Sequence, residues 1–268
     1  MASTWAQSDL NGTLAWAQAL PTSDGTARGQ ALNNAMANWE MNDPAGAAAY
    51  INQNLPDDPN FNLIAQQLTK NWVAADPAAA LTWAESLPPG QAQTDSLATV
   101  FGNLSKTDPQ SAWTQVQQLP DGDARNKAMG TVVSTWSQQD PAQAATLLGS
   151  LPAGTALDDA TSDVASHWVQ QDPAAAAQWV ATLPPGSARD SAVGQIINSQ
   201  SQNNLPAAFS LASSISDATM QQNQLSNVVR QWAKKDVDAA TAAVQSANLT
   251  DQQRTDLLKT IEKAKSAY

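Results

Sequence analysis

The chain has 268 residues and a mass of 28.2 kDa, with 13 basic against 24 acidic residues, a formal net charge of −11 and a pI near 4.3. It has no cysteine and one histidine, which excludes disulfides, thiolate nucleophiles, iron–sulfur clusters and zinc sites built on Cys or several His. The acidic balance argues against a nucleic-acid groove, which needs a basic footprint, and no apolar run reaches the roughly 18 residues that a membrane span requires.

Taken in chain order, the sequence is a tandem repeat. The anchors are Asp9-Leu10, Asp43-Pro44, Asp76-Pro77, Asp108-Pro109, Asp140-Pro141, Asp172-Pro173, Asn204-Leu205 and Asp236-Val237, spaced by 34, then 33, then 32 residues. Leu-Pro follows in six units, at Leu20, Leu55, Leu87, Leu119, Leu151 and Leu183. A Trp precedes the anchor by four residues at Trp5, Trp39, Trp72, Trp136, Trp168 and Trp232.

Each unit predicts two helices. The anchor carboxylate is an N-cap acceptor for the free N–H groups of the first turn, and the following Pro suits the first helical position, where no N–H is needed. Leu-Pro-x-Gly ends this first helix, because Pro cannot continue it and Gly permits a sharp turn. Four residues after the anchor stand Ala47, Ala80, Ala112, Ala144, Ala176, Ala208 and Ala240, with Thr13 in the first unit. A small residue fixed at one helical position predicts a close helix crossing. The second helix carries its apolar stripe eight residues before the next anchor, at Ala35, Leu68, Val100, Val132, Val164, Ile196 and Val228. The anchor-minus-four Trp continues that stripe, which predicts a core position for it. Neither helix can bury its stripe alone, so neighbouring units must stack.

The unit length and helix-turn-helix plan resemble tetratricopeptide-like repeats and the wider set of bacterial α-helical repeat proteins, from about Trp5 to Tyr268. The expectation is an all-α, right-handed α-solenoid of about eight two-helix repeats of 32–34 residues. Residues 1–268 would form a single helical-repeat domain, with 249–268 as a charged C-terminal capping helix. The motif departs from the tetratricopeptide start Trp-x2-Leu-Gly-x2-Tyr. The repeat here is Trp-x3-Asp-Pro-x2-Ala-x6-Leu-Pro-x-Gly, so none of that family's peptide-binding residues carries over. Unit seven diverges, with Gln200 for Trp, Asn204 for Asp and Ile215-Ser216 for Leu-Pro, and reads as a diverged repeat or a local soft point. Trp5 to Asp9 reads as the tail of a second helix, which points to a cut or very short N-terminal cap and to a longer parent with a leader or anchor upstream. With the amide- and hydroxyl-rich, cysteine-free composition, this points to a periplasmic or extracellular location; a cytoplasmic one stays open.

Candidate sites are few. Seven residues after the anchor stand Trp16, Tyr50, Trp83 and Trp179, replaced elsewhere by Gln115, Leu147, Leu211 and Ala243. A position with that range predicts partial burial, and stacked units would set Trp16, Tyr50 and Trp83 in a surface row able to hold sugars or peptide side chains. Inter-repeat packing is the simpler explanation. Asp121-Gly122-Asp123 and Asp158-Asp159 fit capping and turn chemistry better than a calcium loop, whose alternating ligands end in Glu. His167 has no second His, Cys or serine elbow beside it in sequence. Arg28, Arg125 and Arg189 recur at the starts of second helices, where pairs with turn aspartates are expected. No phosphate loop, Ser-His-Asp set or convergent Glu pair appears, so no catalytic residue, cofactor or metal is predicted. The expected function is a non-catalytic scaffold for a protein partner or for self-association. A carbohydrate-binding surface built on Trp16, Tyr50, Trp83 and Trp179 is the alternative.

Overall fold

The computed structural model describes residues 2–21, 25–200 and 204–265. They are all-helical, with no strand among them. Short first helices alternate with long second helices. The first helices are α2 (Leu10–Gln18), α4 (Pro44–Asn54), α6 (Pro77–Ser86), α8 (Pro109–Val116), α10 (Pro141–Leu147), α12 (Pro173–Thr182), α14 (Leu205–Ser213) and α16 (Val237–Ser246). The second helices are α3 (Gly25–Asn42), α5 (Phe61–Ala75), α7 (Gln91–Thr107), α9 (Asp123–Trp136), α11 (Thr155–Gln171), α13 (Ser187–Gln200), α15 (Ala218–Ala233) and α17 (Asp251–Lys265). A single-turn helix, α1 (Ala2–Ala6), precedes them.

All eight anchors cap a first helix as their chemistry dictates. The side-chain oxygens of Asp9, Asp43, Asp76, Asp108, Asp140, Asn204 and Asp236 accept the backbone N–H three residues on, and Asp172 accepts those of Ala174 and Ala175, two and three residues on. Each such cap is worth about 1 kcal/mol. The same residue also closes the helix before it. The N–H of Asp43, Asp76, Asp140 and Asp172 donates to the carbonyl of the Trp four residues earlier, at 2.7–3.0 Å.

The turn at the other end is built in more than one way. In four repeats Leu-Pro-x-Gly delivers Gly90, Gly122, Gly154 and Gly186 at φ between +140° and +155°, a region that only glycine enters without strain. In two repeats without that glycine, a carboxylate substitutes. Asp58 accepts the N–H of Asn60 at 2.8 Å and pairs with Arg28 at 2.6 Å. In unit seven, buried Asp190 accepts the N–H groups of Ser216 and Asp217 at 2.9–3.0 Å, and Arg189 donates to the Ser214 carbonyl at 2.7 Å. The turn of the diverged unit is therefore held firmly. Residues 201–203, on which part of the suspected soft point falls, lie outside the described residues.

The chain forms two compact units, residues 1–135 and 136–268. In the first, α1, α3, α5 and α7 pack against one another in chain order, and each first helix packs on the second helices beside it. In the other, α11, α13, α15 and α17 do the same. The small residue four after each anchor is fully buried in every repeat, Thr13 included, and so is the apolar position eight before the next anchor.

The Trp series differs from expectation. Only Trp136 and Trp232 are buried; Trp39, Trp72 and Trp168 are half-buried and Trp5 is exposed. Standing on the last turn before the junction, these rings cover the kink. Three of them pack on the ring eleven residues later: Trp5 on Trp16, Trp39 on Tyr50 and Trp168 on Trp179, with centroids 5.3–6.0 Å apart. Trp232, which meets Ala243 at that position, packs edge-on against Phe209 instead.

Two glycines separate backbone conformation from crowding, because a Cβ would find nothing within 4 Å at either Gly149 or Gly154. Gly154 alone has a positive φ, of +140°. Gly154→Ala is expected to cost about 1–3 kcal/mol in urea unfolding, while Gly149→Ala stays within about 0.5 kcal/mol or stabilises. Equal effects would contradict the turn assignment.

Candidate functional site

The position-seven aromatics do not form one uniform row. Trp16 is 43% exposed. Tyr50 and Trp179 are half-buried, and burial pushes the Tyr50 hydroxyl above its usual pKa. Trp83 is only 5% exposed, where partial burial was expected. Its indole N–H donates to the Thr69 hydroxyl at 3.2 Å, and Thr69 shares a hydrogen bond with Ser96 at 3.0 Å. That polar chain draws the ring between α5 and α7 and withdraws its face from solvent.

The arginines serve the turns. Arg28 donates to the Gln18 and Leu20 carbonyls at the end of α2, and Arg254 to those of Val244 and Ala247 at the end of α16. Gln93 does the same to Glu85 and Leu87, and Gln221 to Ser213 and Ile215. Each side chain reaches back from the first turn of a second helix to the carbonyls that the preceding helix leaves open. Arg125 pairs with Asp121, as expected of a turn aspartate. Gln93, Gln221 and Arg254 were not singled out in the sequence; their signal is a Gln or Arg about 17 residues after an anchor.

Successive second helices are tied by polar pairs at one-repeat spacing. Asn71 donates to Glu40 at 2.7 Å, Lys127 to Asp95 at 2.6 Å, Gln195 to Ser162 at 3.1 Å and Gln253 to Gln221 at 2.8 Å. His167 belongs to this set, its Nδ1 lying 2.7 Å from the Ser137 hydroxyl. Ser137 is fully buried and His167 half-buried, so the pair is a contact between repeats. Asp121, Asp123, Asp158 and Asp159 gather no metal cage; among the described residues no group of three or more His, Cys, Asp or Glu is placed to hold a cation.

Two concave features lie in the first unit. At its turn edge, a cleft of about 890 Å³ has Leu97, Phe101 and Leu119 in its walls and Gln91, Gln115 and Arg125 among its polar lining. On the second-helix face, a shallower groove of about 510 Å³ runs over α5, α7 and α9. Val73, Ala98 and Gly102 contribute its small side chains, and Lys70, Lys106 and Lys127 line it. Gly102 keeps α7 and α9 close, since a Cβ there would stand 3.0 Å from Thr131 Cγ2. Burial alone would raise the Asp95 carboxyl, but hydrogen bonds from Lys127 and Gln91 and the charges of Lys127 and Lys70 hold it below the usual carboxylate range.

No family model matches the chain, and no curated protein or solved structure shows significant similarity to it. No helix among the described residues is long and apolar enough to cross a membrane.

Glu40 is the one acid of the polar ladder that burial dominates. It is 2% exposed, its Oε1 has no partner, and desolvation pushes its pKa up to about 7 despite the Asn71 hydrogen bond. A carboxyl whose pKa is higher folded than unfolded favours the fold most at low pH, where it is protonated in both states. That contribution fades as pH rises from the unfolded value of 4.5 through about 7. Glu40→Gln is therefore expected to stabilise the protein at pH 8 by roughly 1–3 kcal/mol and to change little near pH 4. Thermal melts at the two pH values check this; an equal shift at both would refute it.

Proposed function

We propose that the chain is a right-handed α-solenoid of about eight repeats, acting as a non-catalytic scaffold whose second-helix face receives a protein partner. The packing of second helices in chain order within each unit supports this reading. Repeats stacked in this way expose a broad rigid surface, and the polar pairs between neighbouring helices fix its register. The groove over α5, α7 and α9 gives that surface a recessed place for a side chain or an extended segment. The low charged fraction, 14%, favours broad neutral contacts over long-range steering across the rest of it.

Small-angle scattering tests the architecture on which the function rests. With helices about 9–10 Å apart, eight stacked repeats reach a radius of gyration of roughly 24 Å. A compact globule of this length would give about 18 Å. The larger value is expected; the smaller would remove the extended face.

A further inference from the structure

The chain carries eleven more acids than bases, yet the groove on the second-helix face of the first unit reverses that balance. Lys70, Lys106 and Lys127 line it against the single acid Asp95. Three side chains of one sign converge on a cavity whose floor is kept open by Ala98 and Gly102. Asp95 is already engaged, by Lys127 at 2.6 Å and Gln91 at 2.8 Å, so the lining sets three cationic side chains against one carboxylate that is held in place. Gln66 and Asn103 add amides that can meet a peptide backbone from either side.

Resting on the scaffold reading above, we propose that this groove holds acidic side chains of an extended segment from a protein partner. The volume, about 510 Å³, suits a few residues rather than a folded surface. A long polyanion is disfavoured by the protein's own field, since a chain of net charge −11 repels a nucleic acid or an anionic lipid surface around so small a basic patch. A segment with two or three carboxylates gains the local attraction without meeting that repulsion over its full length. The lysines are solvent-exposed, so each pair is weak and the contact is salt-sensitive.

Fluorescence anisotropy with a labelled short peptide of alternating Glu and Ala, at low ionic strength, tests the proposal. The intact protein is expected to bind it and to ignore the Gln/Ala counterpart. Lys70→Gln with Lys106→Gln should weaken binding about tenfold, while Lys234→Gln with Lys235→Gln, the same charge change elsewhere, leaves it unaltered. Asp95→Asn removes the groove's competing carboxylate and should tighten binding a few-fold. No binding to the intact protein, or equal binding by both double variants, overturns the proposal. So does equal capture of a single-stranded oligonucleotide or an anionic phospholipid vesicle through the same lysines. An extended particle in scattering that ignores the peptide would keep the scaffold and lose this groove; a compact particle that binds it would do the reverse.

Discussion

The anchor aspartate does two jobs at its junction, and the rest of the structure depends on it. The anchor backbone N–H closes the second helix behind it, and its side chain opens the first helix ahead. Satisfying both leaves little conformational freedom. In all eight repeats the anchor sits at φ between −141° and −153° and ψ between 73° and 96°. A kink repeated with the same dihedrals returns the same helix face to the core each time. That is why a single small residue, four after the anchor, is buried in every repeat. It also recasts the charge: seven of the 24 acids are anchor aspartates at helix N-termini, where the macrodipole favours them.

The opposite turn tolerates more variety because it has only one demand, to reverse the chain and feed the next helix. Glycine at positive φ meets it in four repeats, and a carboxylate bound to backbone N–H groups meets it near Asp58 and Asp190. The amide- and hydroxyl-rich composition follows from the same plan. Gln93 and Gln221 close open carbonyls, while Asn71, Gln195 and Gln253 bridge neighbouring helices. These tasks need donors and acceptors, not charge.

Features that obey a period were legible in the sequence. The anchors, the buried Ala series, the second-helix stripe and the glycine turns all recur at fixed offsets and fold as their chemistry requires. Features that depend on which side chain meets which were not. The half-exposed Trp39 and Trp168 share the helical stripe, but their place on the last turn puts them over the kink. Trp83 was indistinguishable from Trp16 by spacing, and only the Thr69–Ser96 pair draws it inward. The lysine groove left no periodic trace, because Lys70, Lys106 and Lys127 occupy different positions of three successive repeats.

The shared cap is tested most directly by comparing Asp140→Asn with Asp140→Ala in urea unfolding. Asparagine keeps the acceptor that holds the Gln143 N–H at 2.9 Å, as Asn204 does naturally for Ala207. The account predicts that Asp140→Asn stays within about 0.5 kcal/mol of the parent and that Asp140→Ala loses about 1–2 kcal/mol. Equal stability of the Ala variant and the parent, or an Asn variant as unstable as the Ala one, would contradict it.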